Sequence, residues 1–382
     1  MEALERAQGL IDEYHEVVRA ELPEGADIFD AHVHLGTDID GMAGDLDELL
    51  GVQRHAGISR SFVFCLDEPD RHPAFRVPND RTLKDAGRAG GALIPFVRLD
   101  LNESPIEEAV RCLDLGAGGI KLHPRAQRFL PDDERLAPVF ALAAERDVPI
   151  LIHGGRGLPP IADGLARLMD RYEPTLIVAH AGIVDLAALA RYFSGRPNVF
   201  FDTSVWSPLD LLDLFRLVSP EQVLYASDYP YGRQPNSLLM LLRTARASGL
   251  RDDKLRAVLF ESARRIADRE APLELTPPRG ADSLRQPITF ARIHQYVSMA
   301  TTLLWTRQPD TVGVLGLALN ACDERSNGHV EDTERIREAL TVVRDLWSAL
   351  PGIEDERERN RVGRAAFRTL HLATILTVAG DA

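Results

Sequence analysis

The stretch IFDAHVHLG, Ile28 to Gly36, decides how the rest of the chain is read. Its apolar, β-rich composition predicts a buried strand. Strand side chains alternate faces with period 2. Asp30, His32 and His34 are therefore expected on one face and Ala31, Val33 and Leu35 on the other. Two imidazoles at i and i+2 can grip one metal ion. An isolated H-x-H is more often two unrelated histidines. Its weight here comes from recurrence, because later apolar runs also end in histidine or aspartate.

Those later runs follow in order. They are SFVFCL (Ser61 to Leu66), ALIPFVRLD (Ala92 to Asp100), GGIKLHP (Gly118 to Pro124) and VPILIHGG (Val148 to Gly155). TLIVAHAG (Thr175 to Gly182), NVFFDTS (Asn198 to Ser204) and QVLYASDYP (Gln222 to Pro230) complete the set. Helical patterns separate them, and Ser104 before Pro105 is expected to cap one. Near-continuous apolar runs mark strands buried on both faces, as in a parallel sheet. Eight β/α units over about 250 residues are the count of an α/β fold of the (β/α)8 TIM-barrel type. A doubly wound open sheet is the main competitor, but it gives no reason for histidines at so many strand ends.

The 382 residues, 45% of them hydrophobic, suffice for a large core. We expect a barrel with its N-terminal helix over 1–271, a Pro-rich linker over 272–287 and a C-terminal α-helical appendage over 288–382. That appendage has helical periodicity, no β-rich runs and no catalytic spacing, and is expected to pack on the barrel or form a homo-oligomer interface. His294, His329 and His371 within it read as surface or core residues. A net charge of −14 argues against nucleic acid and anionic membranes as partners. Three scattered cysteines form no disulfide framework and fit a reducing cytoplasm. The acidic helical N-terminus lacks the pattern of a signal peptide, and no run reaches membrane-spanning length.

In a parallel barrel the C-terminal strand ends open on one face, where the chemistry sits. The polar residues there are His32, His34, Arg98, Lys121, His123, His153, His180, Asp202 and Asp228. Five strand-end histidines among eleven, with an aspartate on the last strand, point to a metal centre.

The motifs DAHVHLG, GIKLHP, LIHGG, VAHAG and ASDYPYG, in that order over about Asp27 to Glu270, carry a resemblance. The sequence resembles the metal-dependent amidohydrolase superfamily, within it amidohydrolase family 2 and its aminocarboxymuconate-semialdehyde decarboxylase-like branch. The resemblance implies His32, His34, His153 and Asp228 as metal ligands. Asp228 would also take a proton from the nucleophilic water. His180 would be catalytic, polarising substrate or shuttling a proton, or a ligand if two metals bind. Imidazoles and one carboxylate suit Zn2+ and leave a position open for water, whose pKa the metal lowers.

Several residues carry two readings. Lys121 is an ammonium holding an anionic substrate or a carbamate bridging two metals, and we expect the ammonium. His123 lines the pocket or is a loop histidine before Pro124. Arg98, Arg125 and Arg156 offer planar forks for a substrate carboxylate or are solvated loop charges. Gly154 to Gly157 cradle an anion or only make a tight turn. Asp202 is expected to orient a histidine or Lys121, and Cys65 to be buried. The expected enzyme is a metal-dependent hydrolase of a small, carboxylate-bearing substrate. The alternatives are a non-oxidative decarboxylase (a lyase) on the same site and a non-catalytic metal-stabilised barrel.

Overall fold

The computed structural model describes residues 2–280, 287–306, 308, 310–323 and 330–379. Nine strands form one sheet: β1 (Ile28–Thr37), β2 (Ala43–Gly44), β3 (Ile58–Cys65), β4 (Leu93–Arg98), β5 (Gly119–Leu122), β6 (Ile150–Ile152), β7 (Leu176–Val178), β8 (Val199–Asp202) and β9 (Val223–Leu224). Their spatial order is β2-β1-β3-β4-β5-β6-β7-β8-β9. All pairings from β1 onward are parallel, while β2 folds back antiparallel on the end of β1. Helices follow the parallel strands, so the expected barrel is present, with β2 as an unforeseen addition.

The curled sheet joins its two ends through backbone. Ala31 N donates to Tyr225 O at 2.8 Å, Asp228 N to His32 O at 3.0 Å and His34 N to Tyr229 O at 2.7 Å. Val33 and Tyr229 form a parallel bridge there. This seam is what sets Asp228 beside the two histidines of β1.

The barrel interior is filled by Phe29, Ala31, Phe62, Phe64, Phe96 and Leu151, among others. Burying each large apolar side chain is worth roughly 1.5–3 kcal/mol. Outside, Val33, Leu35 and Val63 pack with Leu46 and Leu49 of the next helix. The simple alternation expected for β1 therefore needs correcting. Phe29 and Ala31 face in, yet Val33 and Leu35 face out. The register against β3 shifts between Asp30 and Val33, a β-bulge that changes the parity. His32 and His34 still share the inner face, but Asp30 does not extend their row.

Helix 46–56 is capped by Asp45, which accepts from Glu48 N at 2.9 Å. The cap expected of Ser104 is not made. Ser104 occupies the N-cap position with φ 46° and no side-chain bond, and Pro105 begins the helix. Proline at that position is already set for helical φ.

Beyond the barrel lie helices Ile288–Trp305, Thr311–Cys322, Val330–Ala349 and Glu356–Ala379. Ile293, Leu340 and Leu372 from them join one apolar cluster with Tyr14 and Val18 of the N-terminal helix and Leu238 and Leu242 of helix 234–247. Within the expected linker, 281–286 lie outside the described residues. His371 is buried and His294 sits 2.9 Å from Thr377 Oγ1, while His329 lies outside the described residues. Among the described residues, no helix is long and apolar enough to cross a membrane.

Candidate active site

His32 is fixed from behind. Its Nδ1 lies 2.7 Å from Asp202 Oδ2 at the end of β8. A carboxylate there assigns the ring proton to Nδ1 and turns the Nε2 lone pair inward. His34 places Nδ1 3.4 Å from the Cys65 carbonyl. The two inward Nε2 atoms stand 3.1 Å apart, each 3.4 Å from Asp228 Oδ1. Two lone pairs and a carboxylate oxygen tolerate such approach when a cation or proton sits between them.

His32, His180 and Asp228 offer ligand atoms all within 4.8 Å of one another. His180 is held by its Nδ1, 2.7 Å from the Ser204 carbonyl and 2.9 Å from Ser204 Oγ. His153 packs edge-on to His180 at 4.6 Å and stacks on His123 at 4.0 Å. Its Nε2 is buried without a hydrogen-bond partner among the described residues. A buried imidazole nitrogen that bonds to no protein group beside this cluster is free to serve as a metal ligand. The donor set therefore fits a divalent cation. His180 and Asp228 both have positive φ, 57° and 58°. Such strain in non-glycine residues costs roughly 1–3 kcal/mol each and gathers at functional sites.

Asp202 ties the two sides together. Besides His32 it accepts from His180 N at 2.8 Å, Ser204 N at 3.1 Å and Ser204 Oγ at 2.5 Å. Gly155 is needed for close approach, since a Cβ there would lie 2.9 Å from His153 Cε1 and 3.0 Å from His180 Cδ2. Asp30, fully buried, accepts from Ser227 N at 2.9 Å and Ser227 Oγ at 2.6 Å, and so steadies the segment that carries Asp228.

Lys121 Nζ lies 3.4 Å from His32 Nε2 and 4.3 Å from the centre of the Phe64 ring. Burial lowers its pKa to about 7, with Asp202 opposing and Arg98 reinforcing the shift. Arg98 pairs with Lys121 in register across β4 and β5. It is buried, donates to the Cys65 carbonyl at 3.1 Å and covers the Phe75 ring. Burial first, then the surrounding positive charge, holds His32, His34, His123 and His153 well below the ordinary histidine pKa. Neutral imidazoles are the ligating form. Burial also pushes the Asp228 carboxyl up, with Lys121 opposing.

The fold thus gathers His32, His34, Lys121, His123, His153, His180 and Asp228, with Arg98 behind Lys121. Arg156 is not gathered: its side chain is 79% exposed, 4.0 Å from Asp210. The sequence reading missed Ser204 and Phe64. Ser204 stands two residues after Asp202 in NVFFDTS, a usable signal, whereas Phe64 carries none beyond that of a core aromatic.

A histidine and aspartate centre at the strand ends of a (β/α)8 barrel defines a class of metal-using enzymes. Residues 29–268 match the family described as Amidohydrolase, and the chain belongs to that family. Members use divalent metals, and candidate ligands are present here. Solved structures give the same fold. A 2,6-dihydroxybenzoate decarboxylase from Rhizobium is 17% identical, with a TM-score of 0.51 over 65% of this chain and 99% of its own. A TIM-barrel protein from Bordetella bronchiseptica is 16% identical, with a TM-score of 0.52 over 64% of this chain and 99% of its own. A protein from Acinetobacter baumannii described as a probable 2-pyrone-4,6-dicarboxylic acid hydrolase is 10% identical, with a TM-score of 0.51 over 63% and 99%. No curated protein matches the chain.

Proposed function

We propose that this enzyme is a hydrolase that cleaves an amide, lactone or ester-like bond in a small molecule bearing a carboxylate. The observation that carries the reading is the pair of inward Nε2 atoms of His32 and His34 beside Asp228. With His153 they would hold one divalent ion, for which the nitrogen and oxygen donors favour Zn2+. That ion supplies Lewis acidity and lowers the pKa of water. Asp228 accepts the proton as the nucleophile forms. Lys121, with Arg98 behind it, binds the substrate carboxylate, and His123 lines the same wall. His180, anchored by Ser204, turns its Nε2 toward the scissile group to polarise it or pass on a proton.

The buried cations also favour a second reading. A carboxylate drawn to Lys121 beside the ligands is what non-oxidative decarboxylation requires. One experiment separates the two. Purified protein is analysed for metal, then offered lactones, amides and aromatic or enoic acids while acid release and CO2 are both recorded. We expect about one Zn2+ per chain and acid without CO2. The variant His32→Ala with His34→Ala should lose both metal and turnover. Full activity in metal-free protein would overturn the proposal.

A further inference from the structure

The last helix, Glu356–Ala379, carries arginines at 357, 361, 364 and 368, the i, i+4, i+7, i+11 spacing of one helical face. Three of them, Arg361, Arg364 and Arg368, line a cavity of about 450 Å3. Arg233 lines it as well, from the loop after Asp228. Four guanidinium groups around one cavity are out of keeping with a chain of net charge −14. Two lining carboxylates, Asp45 and Glu48, offset them in part. Glu48 is engaged by Arg233 at 2.7 Å, and Asp45 already accepts from Glu48 N. Arg361 is bonded to Glu358 at 2.8 Å, outside the cavity lining. Arg233 Nε is buried without a hydrogen bond among the described residues. The walls thus hold an excess of donors over acceptors.

The last helix is fixed in place. Phe367 meets Trp206 edge-on at 4.6 Å, and Asn236 Nδ2 donates to the Arg368 carbonyl at 2.9 Å. The cavity also adjoins the metal centre. Gly36 and Pro230 line it, each two residues beyond a proposed ligand, His34 and Asp228. Gly44, another lining residue, sits so close to the His34 carbonyl that an added Cβ would approach it to 2.4 Å.

We propose that this cavity is a second binding site, built jointly by the barrel rim and the last helix, for a small oxyanion-rich molecule. Planar guanidinium forks suit phosphate and carboxylate groups alike, and the cavity is large enough for a small metabolite. With Arg233 and Arg361 already paired, Arg364 and Arg368 remain for the occupant, and two negative charges match them. Nothing in the proposal depends on which reaction the metal centre performs.

The test is calorimetric titration of the full-length protein with inorganic phosphate and, separately, with tricarballylate, at ionic strength matched with chloride. Saturable binding of either probe is expected. Phosphate as the tighter probe identifies a phosphate ester as the natural occupant, and tricarballylate a polycarboxylate. Arg364→Gln with Arg368→Gln should weaken that binding by roughly tenfold or more while leaving bound metal unchanged. Both side chains are at least partly exposed, so the variant should fold, and Arg361→Gln gives an independent check. Absence of binding above the chloride control, or equal affinity in the double variant, would overturn the site.

Discussion

Asp202 Oδ2 and His32 Nδ1 stand 2.7 Å apart, a buried pair joining β8 to β1 across the barrel. The contact fixes the imidazole tautomer and its angle, so the proposed metal centre would be organised partly by a residue that need not touch the metal. Asp202→Asn keeps the shape but removes the anion that favours Nδ1–H. Loss of such a supporting group typically costs about 10- to 100-fold in metal affinity. Competition with a chromophoric chelator would measure it. Unchanged affinity would mean that ring packing, against Phe64 at 4.9 Å and His180 at 5.1 Å, orients His32 without the anion.

Asp228 carries two proposed duties, ligand and proton acceptor. Asp228→Asn is near-isosteric and preserves the backbone seam with His32, since that bond uses Asp228 N. The fold should survive, with turnover reduced by several orders of magnitude. Circular dichroism and single-turnover rates check the two halves. A rate within a few-fold of the parent would remove Asp228 from the mechanism.

Glu221 gives a prediction about pH. Burial by itself would raise its carboxyl, but hydrogen bonds from Lys254, Ser219 and Thr276 N outweigh that and bring it from 4.5 down to about 2. Lys254 Nζ is 2.5 Å away, and Thr276 N lies at 3.0 Å, tying the start of the Pro-rich stretch to the barrel. A depressed carboxyl pKa stabilises the fold above the unfolded value and loses that contribution as pH falls from about 4.5 towards 2. The shift corresponds to roughly 3 kcal/mol at neutral pH. Glu221→Gln should therefore lower stability at pH 7 and flatten the acid limb of an unfolding curve between pH 4.5 and 2. Parallel curves for the two proteins would exclude this linkage.

The strand ends were legible because buried parallel strands write themselves as short apolar runs, and the barrel makes their last polar residues neighbours. VAHAG placed His180 at the rim, although it sits in a tight turn rather than on β7. The bulge in β1 was not legible. A register shift depends on how β3 pairs beside it, and IFDAHVHLG alternates well enough on paper to hide one. Arg156 looked like part of the pocket because it follows a strand end. A loop side chain's direction is set by the turn, and here the turn sends it to solvent. The arginines of the last helix were unreadable for another reason. Their face gains meaning from rim residues far away in sequence, Gly36 to Glu48 and Pro230 to Arg233, a juxtaposition that only tertiary packing creates.

Lys121 separates one metal from two. A lysine ammonium that holds an anion and a lysine carbamate that bridges two ions differ in charge sign at a single position. Nζ lies 3.4 Å from His32 Nε2 with Phe64 beneath it. For an ammonium, Lys121→Ala should raise KM or lower kcat with metal content unchanged. The lost contact is a charge-assisted hydrogen bond of about 1.5–3 kcal/mol, and the defect should be larger for anionic than for neutral substrates. For a carbamate, the same change should drop the metal count from about two towards one, and bicarbonate should speed reconstitution of the wild-type apoprotein. We expect the ammonium outcome, with about one metal in both proteins and no bicarbonate effect. Two equivalents falling to one would reverse that assignment and move His180 from proton transfer to metal ligation.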